Sequence, residues 1–166
     1  HYLAAVMRVA PGDAVLLCDD ESGEWVARVA AASKRHVDLL VEAQLRPREP
    51  VPDFTLCAAL LKKPRFDLLL EKATELGVAN IQPLLTRRCV ADRLNYARAM
   101  TQITEAAEQC ARTALPRLAE PTRLEPLLAA WPDGRWLFFA DETGGIPAAK
   151  AFAEHPGPAA LLTGPE

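Results

Sequence analysis

The sequence contains no run of about 18 apolar residues, so no part of it has the length of a membrane-spanning helix. It also contains no CxxC pair. The four cysteines, Cys18, Cys57, Cys89 and Cys110, lie far apart, which excludes a zinc ribbon or a disulfide framework and predicts free thiols. His1, His36 and His155 have no metal-ligand spacing, so no metal cofactor is expected. Neither GxGxxG nor a Gly-rich GK[ST] loop occurs, and a dinucleotide fingerprint or a P-loop is therefore unsupported. The chain carries no excess of positive charge. At net −3 it is not a nucleic-acid polycation as a whole, and any polyanion-binding surface must be local. No secretory leader opens it, which predicts a cytoplasmic protein with no membrane partner. It begins at His1 and stops at Glu166 just after Gly164-Pro165, so a fragment of a longer protein is expected.

What is present suffices for a substantial core: 166 residues, half of them hydrophobic, enough for one or two domains. Residues 1–45 read as short strands, with Gly12-Asp13 as a turn, then Ala14–Cys18, Glu24–Ala31 and Val37–Ala43. Such closely spaced strands predict a small β-barrel over 1–46. Arg46-Pro-Arg-Glu-Pro-Val-Pro52 is a proline-rich, charged stretch, giving a linker over 47–53. From residue 54 the pattern alternates. Strands are expected at Phe54–Leu61, Val78–Leu85, Arg135–Ala140 and Ala159–Thr163. Helices are expected at Pro64–Leu76, Asn95–Ala114, Leu124–Trp131 and Pro147–Ala153. This alternation predicts an α/β domain over 54–166 with a largely parallel sheet.

The stretch from Leu60 to Gly77 breaks a local rule. Pro64 suits a first helical position, Phe66, Leu69, Leu70, Ala73 and Leu76 recur at helical spacing, and Gly77 suits a left-handed cap. Yet Lys62, Lys63 and Arg65 crowd the positive end of the helix dipole, an arrangement that becomes favourable when an anion arrives. Between Lys62 and Arg98 eight cations face four anions, a local +4 within an acidic chain, which points to an RNA-facing surface. On the long helix, Arg98, Gln102, Glu105, Gln109 and Arg112 form a polar stripe; glutamine and arginine suit base edges and phosphates. At the far end, Leu162-Thr163 runs into Gly164-Pro165-Glu166, and Asp141-Glu142 follows the preceding strand. Ligands of open α/β sheets bind beyond the carboxyl ends of the strands, so these two loops are expected to share a pocket.

The chain resembles the bacterial small-subunit ribosomal RNA uridine-N3 methyltransferases of the SPOUT class (the RsmE family). The resemblance is carried by His1-Tyr-Leu-Ala-Ala-Val-Met-Arg-Val9 with Gly12-Asp13, by Leu61–Pro83 including Lys72-Ala-Thr-Glu-Leu-Gly-Val78, and by Thr86-Arg-Arg88. It continues through Glu105-Ala-Ala-Glu-Gln-Cys-Ala-Arg112 with Pro116 and ends at Leu162-Thr-Gly-Pro-Glu166. It implies a PUA-like RNA-binding barrel joined to a SPOUT methyltransferase domain of trefoil-knot type, with the C-terminal knot segment missing from this chain. It also implies S-adenosylmethionine as methyl donor, a homodimer, and methylation of N3 of a uridine in 16S ribosomal RNA of the small subunit. Carried onto this sequence, Glu142, Leu162, Thr163, Gly164, Pro165 and Glu166 would contact the donor. Arg8, Gln109 and Arg112 would face the target uridine, and Lys62, Lys63, Arg65, Arg87 and Arg88 would meet RNA phosphates. A non-catalytic RNA-binding or ribosome-assembly factor, or a SPOUT enzyme acting on another RNA, is the alternative.

Overall fold

A computed structural model of the chain describes residues 2–89 and 91–164. The chain divides into two compact units, residues 1–50 and 51–166.

The first unit opens with one helical turn, α1 (Tyr2–Ala5), followed by β1 (Ala14–Asp19), β2 (Gly23–Ala32) and β3 (Val37–Pro47). These strands form an antiparallel sheet in the order β1-β2-β3, a meander whose β2–β3 register shifts at three points. The shifts let Ala27 and Val29 remain fully buried along a strand that bends. β3 runs further than composition suggests. Arg46 and Pro47 still pair with Glu24 and Gly23, and Arg46 Nε donates to Glu24 Oε2 at 2.7 Å, so the proline-rich stretch is strand up to Pro47.

The second unit is built on β4 (Phe54–Ala59), α2 (Lys63–Glu75), β5 (Asn80–Leu85), α3 (Tyr96–Gln109), β6 (Arg117–Leu118), β7 (Thr122–Arg123), α4 (Leu124–Ala129), β8 (Trp136–Phe139), α5 (Ala148–Glu154) and β9 (Ala159–Thr163). The sheet order is β6-β5-β4-β9-β8, and every pairing is parallel. β7 also pairs with β5, further along, so β6 and β7 act as one edge strand broken at Ala119–Pro121. Gln82 Nε2 spans the break by donating to the Glu120 carbonyl at 2.9 Å.

Alternate residues of β4 divide the core. Leu56 packs with Phe66, Leu70, Ala73, Ile81, Ala99 and Ile103 under α2 and α3. Cys57 faces the other way, with Leu84 and Ala160, against Leu124, Leu127 and Trp131 of the α4 region. Full burial of a leucine, isoleucine or phenylalanine side chain such as Leu70, Ile81 or Phe66 contributes roughly 1.5–3 kcal/mol, and both faces of β4 are used.

α2 ends as its sequence predicts. Gly77 adopts φ +76°, its N–H bonds to the Thr74 carbonyl and the Val78 N–H to the Ala73 carbonyl, which closes a Schellman motif. Leu76, however, is 81 % exposed; its place in the apolar stripe is taken by Thr74, buried because its hydroxyl donates to the Leu70 carbonyl at 2.8 Å. α3 is shorter than expected. Asn95 caps its start, accepting from the Arg98 N–H, but the helix stops at Gln109 rather than Ala114.

At the amino edge of the sheet, Arg135 does what no motif announced. Its guanidinium meets both oxygens of Asp53 at 2.7 Å and donates to the Ala159 carbonyl at 3.3 Å, joining the start of β4 to β8 and β9.

Candidate functional site: two clefts at the carboxyl edge of the sheet

Parallel strands place all their carboxyl ends on one edge, and there β5, β8 and β9 frame a cleft of about 770 Å³. One wall is the end of β9: Leu162, Thr163 and Gly164. Gly164, at φ +145°, crosses the end of β4 so closely that a Cβ there would lie 2.3 Å from the Ala59 Cβ. The backbone fills that gap, and only glycine allows it. Phe139 at the end of β8 supplies a second wall.

The third wall is the loop after β5. The Cys89 N–H bonds to the Thr86 carbonyl, closing a turn, and the Cys89 sulfur holds that turn from inside. It accepts from the Thr86 N–H at 3.3 Å and donates to the Leu84 carbonyl at 3.4 Å. Arg87 projects from this turn into the lining, and Arg123, Leu124 and Glu125 complete it from the β7–α4 junction.

A smaller cavity of about 250 Å³ lies beside it, between the amino ends of α2 and α3. Its floor is apolar (Leu60, Leu61, Phe66, Leu70) and its charged lining is Lys63, Arg93 and Arg98 with Asp67. Asp67 is already paired with Arg98. Ala91 lines both cavities, so the segment after the Thr86–Cys89 turn separates them.

Residues 47–166 match a family model described as an RNA methyltransferase domain, and residues 1–42 match one described as an RNA methyltransferase PUA domain. The chain belongs to this RNA methyltransferase family. Among curated proteins it is similar to Ribosomal RNA small subunit methyltransferase E of Synechocystis, 35% identical over 123 residues, which is 73% of this chain and 40% of that protein. The protein of that name from Rickettsia conorii is 28% identical over 128 residues, 77% of this chain and 52% of its own length. The chain thus spans about half the length of the curated relatives it matches. Among solved structures, a methyltransferase from Legionella pneumophila in complex with the cofactor SAM superposes with TM-score 0.84 at 25% identity, over 99% of this chain and 70% of its own. Ribosomal RNA small subunit methyltransferase E from Neisseria gonorrhoeae superposes with TM-score 0.81 at 24% identity, over 98% of this chain and 69% of its own, and shows a common fold. The fold is accordingly a PUA-like N-terminal domain and an α/β domain with the parallel sheet of the SPOUT methyltransferases.

Within the RNA methyltransferase domain, the expected site residues separate into groups. Leu162, Thr163 and Gly164 come together in the larger cleft, while Pro165 and Glu166 lie outside the described residues. Glu142 is exposed on the turn after β8 and does not line the cleft; that turn is held by Asp141, whose carboxylate accepts from the Thr143 N–H and hydroxyl and lies below its ordinary pKa as a result. Arg87 lines the larger cleft, whereas its neighbour Arg88 does not. Lys63 lines the smaller cavity, with Lys62 and Arg65 exposed nearby on the same helix end.

Arg112 is not on the helical stripe with Gln109. Ala111 turns left-handed at φ +54°, and Arg112 swings back over Gly77, its Nη1 donating to the Glu75 carbonyl at 3.3 Å. That carbonyl ends α2, so Arg112 stands at the amino edge of the sheet, opposite the larger cleft. Arg8 belongs to the first unit and adopts φ +53° just after α1. Arg123, Glu125 and Phe139 line the cleft without any motif in the sequence to mark them. Arg123 and Glu125 sit in a segment without glycine or motif, and only the pairing of β7 with β5 brings them to the cleft.

Proposed function

We propose that the chain belongs to an S-adenosylmethionine-dependent methyltransferase acting on N3 of a uridine in 16S ribosomal RNA. The observation that carries this reading is the larger cleft, bounded by Leu162-Thr163-Gly164 at the carboxyl edge of a parallel sheet in a chain of the RNA methyltransferase family. Its volume lies within the roughly 300–1,000 Å³ usual for small-molecule sites. Its lining combines leucines and an aromatic ring with both signs of charge, which fits a nucleoside bearing a zwitterionic amino acid. The donor supplies an electrophilic methyl group on a sulfonium, a leaving group that needs no metal.

The chain's own residues then bind and orient. Leu162, Thr163 and the backbone at Gly164 form one wall, and catalysis rests on holding both reactants in line. N3 lies on the Watson–Crick edge and carries a proton near neutral pH. The uridine must therefore be unpaired or extruded, and a nearby guanidinium favours its deprotonated form. Arg8, Gln109 and Arg112 are the groups we assign to that side, and Lys62, Lys63, Arg65 and Arg88 to RNA phosphates. Gln109 and Arg112 stand at the opposite sheet edge from their own cleft, so a uridine they held would face the cleft of a second copy. This geometry supports a homodimer. A cytoplasmic location follows from a ribosomal substrate, and no helix among the described residues is long and apolar enough to cross a membrane.

The test is transfer of labelled methyl from S-adenosylmethionine to small ribosomal subunits, naked 16S RNA and transfer RNA, side by side. Transfer to a small-subunit substrate, mapped to a uridine N3 and lost in Arg8→Ala with the fold retained, is the expected result. No transfer to any ribosomal substrate would sink the reading. RNA binding without calorimetric binding of the donor would instead favour an assembly factor.

A further inference from the structure

The two clefts differ in charge balance, and that difference assigns their ligands. The smaller cavity is lined by Lys63, Arg93 and Arg98 against Asp67 alone, a surplus that suits a polyanion. The larger is lined by Arg87 and Arg123 against Asp92 and Glu125, a balance that suits a ligand carrying both signs. Asp92 is engaged with its neighbour Arg93 at 3.7 Å. Arg87, Arg123 and Glu125 make no side-chain hydrogen bond or ion pair among the described residues. By contrast, Arg98 in the smaller cavity and Arg135 at the amino edge of the sheet are paired to Asp67 and Asp53. The β5–β7 register sets Arg123 opposite Leu85, two residues before Arg87, so both guanidiniums rise from adjacent strand ends at one side of the cleft. Glu125 follows two residues after Arg123.

We infer that Arg87 and Arg123 bind the α-carboxylate of the donor's amino-acid end, and that Glu125 binds its α-ammonium. The nucleoside end then lies toward Phe139 and Leu162, the apolar part of the lining. Arg87 is thereby a donor-binding residue rather than an RNA contact, although it adjoins Arg88 in the chain. The inference rests on the donor-cleft reading above and specifies which groups read the ligand's charged end.

Calorimetry on the purified protein decides it, with two probes: S-adenosylmethionine and 5′-methylthioadenosine, which keeps the nucleoside and the S-methyl group but has a neutral thioether in place of the sulfonium and lacks the amino-acid end. Arg87→Gln, Arg123→Gln and Glu125→Gln should each weaken S-adenosylmethionine about tenfold, the scale of one lost charge-assisted contact, and leave 5′-methylthioadenosine unchanged. Arg117→Gln, the same charge change outside the cleft, should alter neither. Equal losses for both probes, no loss for either, or an effect confined to RNA binding would overturn the inference while leaving donor binding itself intact. If the unsubstituted protein binds neither probe, the donor-cleft reading fails and takes the inference with it. Cys89 gives an independent readout, because it is among the residues that line the cleft. Both probes should slow its alkylation in the unsubstituted protein, and in Arg123→Gln only 5′-methylthioadenosine should protect it at the original concentration. Exposed Cys110 serves as internal control.

Discussion

Asp19 organises the β1–β2 loop through a carboxylate that is fully exposed. Oδ1 accepts from the Glu21 N–H at 2.8 Å and from the Ser22 N–H. Oδ2 accepts from the Ser22 hydroxyl at 2.6 Å, and that hydroxyl in turn accepts from Trp25 Nε1 at 2.7 Å. All these donors favour the ionised form, led by the Ser22 hydroxyl, and hold the Asp19 carboxyl at about 2. A carboxyl lowered in the folded state stabilises it above the ordinary aspartate value of about 3.9, and the contribution disappears as pH falls toward 2. Asp19→Asn should therefore melt below the unsubstituted protein at pH 5, with the gap in Tm closing between about pH 4 and 2. A gap that stays constant over that range would contradict this account. Cys57 shows the opposite case: burial pushes its thiol up to about 11, against a smaller opposing pull from Arg135, so it should resist alkylation at pH 8 while Cys110 reacts.

At the scale of elements, α2 and α3 end with the same hydrogen-bond pattern but different residues. α2 closes at Gly77, which the sequence announces. α3 closes with the Ala111 N–H on the Glu108 carbonyl and the Arg112 N–H on the Ala107 carbonyl, the same motif with alanine in the left-handed position. No glycine marks that stop, so periodicity alone carries the helix on toward Pro116 and places Arg112 one face away from where it lies. The substitution Ala111→Gly should relieve the steric cost of a Cβ at φ +54° and raise stability by roughly 0.5–1 kcal/mol, measured by denaturant unfolding. A loss of stability would show that the Ala111 methyl group outweighs that cost. Strands were easier to read than caps. β9 occupies the expected Ala159–Thr163, because it is a short, largely apolar run, buried at Ala159 and Ala160, between Gly157-Pro158 and Gly164-Pro165 in the sequence. β6 and β7, two residues each, have no periodicity to detect, and with them went Arg123 and Glu125.

For the whole molecule, the alternation of elements disclosed a parallel α/β domain but not its strand order. β9 lies between β4 and β8, a pairing between residues a hundred positions apart that no local pattern encodes. Charge was legible in the same partial way: the sequence located a basic segment, and the structure places Lys63, Arg93 and Arg98 in one cavity and Arg87 in the other. RNA affinity should therefore depend steeply on salt despite the acidic chain, since phosphate contacts release counterions whatever the net charge. Lys63→Ala should reduce the slope of log affinity against log salt by about 0.7–0.9, the value of one phosphate contact. Arg123→Gln should leave that slope unchanged, which fluorescence titration at three or more salt concentrations would establish.

Ala91 makes the two cavities share a wall, and a shared wall gives their ligands a route to thermodynamic linkage. If occupying the larger cleft shifts the segment at Ala91, then the factor by which the donor alters RNA affinity must equal the factor by which RNA alters donor affinity. Under the proposed assignment of donor and RNA to the two cavities, loss of the methyl group and of the charge on the donor's sulfur would then also change how tightly the smaller cavity holds its polyanion.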